Sequence, residues 1–198
     1  MKIFAVMAVC LVLVGCATAL PEEKYYMLQS KPFNATEEYT SSHRARWGLV
    51  TIELPEYLDQ PGLPMQIGDQ RIKHARQHLW AEPLSKGISR VLASDIEMIA
   101  GYQVDSEADT WTSQINCWLR VEIHKFQATD ASQVVASGSF WVSQEVPRKV
   151  SKHPFTIQTN LKEDGYGHAV QQMSLILYTL ATQIVKELAS VSSCEAAA

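Results

Sequence analysis

The chain opens on an almost unbroken apolar run, Ile3 to Gly15, and turns polar within a few residues of Cys16. Beyond it, apolar residues recur at two spacings: a period of two marks half-buried strands, and a period near 3.6 marks helices. Lys24-Tyr-Tyr-Met-Leu-Gln29 reads as a short strand and Ser30 to Arg46 as a polar loop. In RWGLVTIELPEYL a strand runs through Leu49, Thr51 and Glu53 until Pro55 stops it. DQPGLPMQIGDQRI predicts a stiff prolyl loop over Pro61–Pro64 and then a hairpin turned at Gly68-Asp69, with RIKHARQHLW as the strand leaving the turn.

Two segments carry the helical period. From Glu82 to Ala100, Leu84, Ile88, Val91, Leu92, Ile96 and Ile99 form one apolar stripe. Pro83 suits the first turn, and Gly101 stands where a helix-ending glycine belongs. From Asp164 to Ser190, a second stripe passes through Ala169, Met173, Ile176, Leu177, Leu180, Ile184 and Leu188. Three strands lie between these helices. Ile115, Cys117, Leu119, Val121 and Ile123 alternate with polar residues and Trp118, whereas Val134, Ala136, Gly138, Phe140 and Val142 share a face of the next strand. RKVSKHPFTIQT is the third, with Pro154 suiting an edge or a bulge. The expected fold is a single α+β domain, an antiparallel β-sheet with two main amphipathic helices packed on one face.

The opening run is far short of the roughly 20 residues that cross a bilayer. It fits the roughly 7–15-residue apolar core of a secretory signal, with Lys2 as a minimal charged start. A buried helix is the competing reading, but the run is apolar on all sides and shows neither cap nor polar face. Leu13-Val14-Gly15-Cys16 resembles the bacterial lipobox, in which the cysteine receives a diacylglyceryl group and becomes the acylated first residue. Acyl chains such as palmitate contribute ~0.8 kcal/mol per buried methylene, so several of them anchor a domain stably. Ala17, rather than Asp, follows the cysteine, which by the sorting pattern of such lipoproteins points to the outer membrane of a Gram-negative bacterium. The expected division is a signal at 1–15 and a periplasmic domain at 16–198, with 16–23 as tether.

The formal charge of −4 becomes −5 once Lys2 leaves with the signal, and no Lys/Arg run suggests nucleic acid as a partner. Of the four cysteines, Cys10 leaves with the signal and Cys16 carries lipid. Cys117 and Cys194 remain, and in an oxidising compartment they either pair or stand as separate thiols.

Few residues suggest chemistry. His74 and His78 have the spacing of two ligands on a helix, but on a strand four residues span ~13 Å, too far for one ion. ASGSF (136–140) lacks the nucleophile-elbow pattern, and EDGYGH (163–168) lacks both phosphate-binding glycine patterns. Asp105 and Glu107 are read as part of a polar loop. These readings leave no catalytic residues, metal or cofactor. Trp118 and Trp141 stand out instead. Both fall on the sheet face opposite the apolar series, where they either meet a partner or are covered by the 30–46 loop or a helix.

KYYML after the expected lipidated cysteine, LVTIELPEYLDQPGL and HLWAEPLSKGISRVLASDI resemble the ABC-type transport auxiliary lipoprotein family, specifically its paraquat-inducible protein C branch. The most specific part is Trp80-Ala81-Glu82-Pro83-Leu84 leading into Gly87-Ile88-x-Arg90-Val91-Leu92. The resemblance implies a non-enzymatic lipoprotein on the periplasmic side of the outer membrane. It also implies a mammalian-cell-entry (MCE) protein bridging the periplasm and an inner-membrane transporter component as partners, with lipid moved between the membranes. A docking or ring-forming role follows, for which Trp118, Trp141, Pro61 and Pro64 are the candidate contacts. The alternative is a structural lipoprotein that assists assembly of another outer-membrane protein. The family often has an Arg-containing continuation where this chain has Gln60-Pro61-Gly62-Leu63-Pro64.

Overall fold

The computed structural model describes residues 21–30, 46–49, 52–106, 115, 117–145 and 147–191. Among the described residues, eight strands and two helices follow one another as β1 (Lys24–Tyr26), β2 (Arg46–Leu49), β3 (Gly62–Ile67), β4 (Arg71–Trp80), α1 (Leu84–Ala100), β5 (Gln103–Ser106), β6 (Cys117–Thr129), β7 (Gln133–Gln144), β8 (Lys149–Asn160) and α2 (Tyr166–Leu188). They form one domain, and its sheet branches at β6.

Along one flank of β6, β7 pairs over its whole length and then pairs with β8, both antiparallel. The other flank is shared. β2 takes its start, Glu53 bridges at Glu122, and β3 takes its end, all three in parallel. β2 continues to β5 in parallel, and β3 forms an antiparallel hairpin with β4, whose far edge holds β1 in parallel. The domain is therefore α+β as expected, but its sheet is mixed rather than antiparallel. The reason is connectivity. A tight turn forces antiparallel pairing, as at Gly68 (φ 60) between β3 and β4, whereas segments arriving from distant parts of the chain carry no such constraint.

The helices follow the apolar stripes. Leu84, Ile88, Val91, Leu92 and Ile96 of α1 are buried, and Gly101 ends the helix in the left-handed conformation (φ 67) with its N–H on the Glu97 carbonyl. Pro83 stands at the cap position, just before the first turn. Every predicted stripe residue of α2, from Ala169 to Leu188, is buried. The helices pack on each other and on the sheet face that presents Cys117, Leu119, Val121 and Ile123 from β6, and Val134, Ala136, Phe140 and Val142 from β7. The alternation in β6 slips between Ile123 and Lys125. Pro154 lies in β8, which among the described residues pairs with β7 alone and so is an edge strand, where a proline is tolerated.

Two further sequence expectations change. Pro64 is buried inside β3, because the strand begins at Gly62 and a register shift between Gly62 and Pro64 absorbs the proline. Asp105 sits on β5 rather than in a loop, ion-paired to Arg46 of the neighbouring β2 at 2.9 Å. Residues 31–45 of the expected Ser30–Arg46 loop, Glu107, Cys16 and Cys194 lie outside the described residues.

Candidate functional site

Because side chains alternate along a strand, burying Leu119 and Val121 of β6 and Phe140 and Val142 of β7 turns Trp118, Arg120 and Trp141 to the opposite face. β8 adds Val150 and Lys152 there, opposite Ser143 and Trp141 in register. Residues on this face of β8 are exposed from Val150 to Asn160, so the layer has one face on the helices and one open to solvent. The predicted tryptophan pair meets on that open face. Trp118 and Trp141 line one groove of about 710 Å³ with Arg120, Glu145, Arg148 and Val150.

Each indole has a built seat. Trp118 covers Gly48 of β2, where an added Cβ would stand 2.3 Å from the ring, so only glycine leaves the space. Trp141 has the Arg120 guanidinium carbon 5.2 Å and the Lys152 Nζ 4.7 Å from its ring centroid. Arg120 donates to Glu53 Oε2 at 2.7 Å. That hydrogen bond and the carboxylate charge raise the guanidinium pKa above its usual value, so the cation persists. Val150, 58% exposed, adds a bare apolar surface at the rim. The groove thus combines half-buried aromatic and exposed aliphatic surface with two cations over one ring.

The other two predicted contacts lie elsewhere. Pro61 is exposed and lines a separate groove of about 420 Å³ with Asp59, Trp80 and Glu82. Pro64 lines a cleft of about 270 Å³ beside the start of α2. The Trp80–Leu84 motif is a structural junction. The Trp80 N–H donates to the Pro61 carbonyl and the Ala81 N–H to the Tyr26 carbonyl. Arg90 donates to both Glu82 (2.5 Å) and the Leu28 carbonyl (2.9 Å), and Gly87 keeps room for the Glu82 carboxylate. These residues tie β1, β4 and α1 together.

His74 and His78 lie on β4 and engage different partners. His74 Nε2 bonds the Tyr57 carbonyl at 2.7 Å, and His78 Nδ1 shares a hydrogen bond with the Tyr26 hydroxyl at 2.8 Å while stacking on Tyr166. Among the described residues no group of three or more His, Cys, Asp or Glu could hold a metal. Cys117 is fully buried and disulfide-bonded; Cys194, its expected partner, is outside the described residues. Sequence reasoning found the tryptophans but missed Gly48, Arg120, Arg148 and Lys152. The alternation around Arg120 and Lys152 carried a usable signal, whereas Gly48 is distant in sequence and carried none.

A family model for the ABC-type transport auxiliary lipoprotein component matches residues 26–185. The chain is 23% identical over 194 residues to the intermembrane transport lipoprotein PqiC of Escherichia coli (strain K12), covering 95% of this chain and 98% of the relative. The PqiC of Shigella flexneri matches to the same extent. Among solved structures, an uncharacterized protein shares the fold with a TM-score of 0.71 at 20% identity, covering 85% of this chain and 99% of its own. A Xanthomonas campestris protein does so with a TM-score of 0.64 at 12% identity, covering 82% and 92%.

Proposed function

Because this chain belongs to the ABC-type transport auxiliary lipoprotein family, we propose that it is the outer-membrane-anchored auxiliary subunit of an MCE-type system moving lipid between the inner and outer membranes. In this reading residues 1–15 are removed as a signal and Cys16 takes the lipid. Residues 16–23 then tether a periplasmic domain that performs no catalysis. The observation that carries the reading is the family match, which runs through nearly the whole described domain. Agreement with relatives that are intermembrane transport lipoproteins in two enterobacteria supports it.

The Trp118/Trp141 groove is the docking surface in this proposal. It is aromatic, cationic and open, a chemistry suited to binding. Its partner is the MCE protein that spans the periplasm from the inner-membrane component, or a second copy of the chain within a ring. A photo-crosslinking amino acid at Trp141 in cells tests this. The expected adduct contains an MCE-domain protein or a second copy. An adduct with an outer-membrane barrel would favour the assembly-factor alternative, and crosslinking no stronger than from exposed Asp69 would reject the groove as a docking surface.

A further inference from the structure

The two helices differ in their solvent-facing surfaces. α1 exposes Lys86, Arg90 and Glu97, as a water-facing helix does. In α2 no Asp, Glu, Lys or Arg occurs from Tyr166 through Val185. Its exposed ridge, Gly167, Gln171, Leu175, Thr179 and Gln183 at four-residue spacing, is uncharged, with Leu175 43% exposed. Hydroxyls on this helix also turn inward. Ser174, Thr179 and Thr182 each donate to the carbonyl four residues back, at 3.2, 3.0 and 2.9 Å, so they do not rely on water for that bond.

Beside this ridge runs the segment that follows β1, where Met27 is 47% exposed. Met27, Gln29, Gly167, Gln171 and Leu175 line one shallow groove. Of the four exposed large hydrophobic residues among those described, Met27 and Leu175 thus meet at this groove, whereas Tyr25 lies on β1 with its hydroxyl donating to Glu23 Oε2 and Val150 lies in the tryptophan groove. Chain length supplies the occupant. Seven residues lie between Cys16 and Lys24, so the eight steps reach at most about 28 Å even fully extended.

We propose that the uncharged ridge of α2, with Met27 beside it, is the face by which the domain rests on the leaflet that holds its anchor. This rests on the reading of Cys16 as lipidated. An uncharged face loses no charge hydration against the headgroups, and Met27 and Leu175 enter the boundary between headgroup and acyl chain. The ridge lies opposite the buried stripe of α2, which packs on the sheet; Trp118 and Trp141 lie on the far side of that sheet. Seating α2 on the membrane therefore aims the tryptophan groove into the periplasm.

The test uses the full lipidated chain, reconstituted in phosphatidylethanolamine–phosphatidylglycerol vesicles. A fluorophore is placed on Leu175→Cys or Met27→Cys, or on Thr156→Cys of the open sheet face as reference. Lipids carrying a nitroxide near the headgroup should quench the first two labels severalfold more than the third. Equal quenching at all three positions, or a shielded but unquenched label at 175 as a second copy would produce, overturns the seating. Failure of the protein to float with the vesicles overturns the anchor and the seating together, whereas flotation with an unquenched label overturns the seating alone.

Discussion

Replacing the tryptophans with serine one at a time separates a binding face from a covered core. Trp118 and Trp141 are half-buried on the open face, whereas Trp47 is 1% exposed within the core. Truncating a core aromatic costs about 3–5 kcal/mol, because burial is lost and a cavity is left. No cavity forms on an open face. Trp141→Ser loses partial burial and two cation–ring contacts at exposed positions, each worth about 0.5–1 kcal/mol, so its cost is about 1–2 kcal/mol. Trp118→Ser loses the contact over Gly48 and is expected to cost a similar amount. With about 2–4 °C per kcal/mol for a domain of this size, the outer variants should melt roughly 2–8 °C lower and Trp47→Ser roughly 6–20 °C lower. Thermal melts followed by near-UV circular dichroism on the purified variants give the comparison, and crosslinking from Glu145 reads partner engagement in the same variants. Weakened crosslinking with a nearly unchanged melt is the expected pattern. If an outer variant falls as far as Trp47→Ser, the open face is covered core; if crosslinking persists undiminished in both outer variants, the groove is not the docking surface.

Further expectations follow from the same geometry. Cys16→Ser should move the protein from the membrane to the soluble fraction on cell fractionation, and unchanged retention would reject the lipobox. Val91→Asp places a charge at a fully buried position of α1 and should cost roughly 3–5 kcal/mol in urea unfolding; a parental midpoint would mean that α1 is turned the other way. If Cys117 pairs with Cys194, the closed loop contributes roughly 4–5 kcal/mol in the chain-entropy model. Peptide mapping without reductant should then recover the two cysteines in one linked species, and two free thiols would reject the bridge.

Periodicity along the chain was enough to determine the helices, the β3–β4 hairpin and the β6–β8 meander. The reason is local: a buried stripe must repeat with the geometry of its own element, and Gly68 and Gly101 mark turns that side chains disfavour. The same alternation placed Trp118 and Trp141 on one face, because a strand side chain's direction depends only on its neighbours. Parallel pairing of β2 and β3 against β6 was not legible. It depends on which distant segment fills the free flank of a long strand, and no turn residue records that choice. The seat of Trp118 was hidden for the same reason, since Gly48 reaches it only through that pairing. Pro64 looked like a loop residue because a proline suits a turn and only the register of β3 on β4 shows it within a strand. The uncharged run of α2 is written in the sequence, but the side of the domain on which its ridge lies, opposite the tryptophans, was decided by the packing of that helix on the sheet.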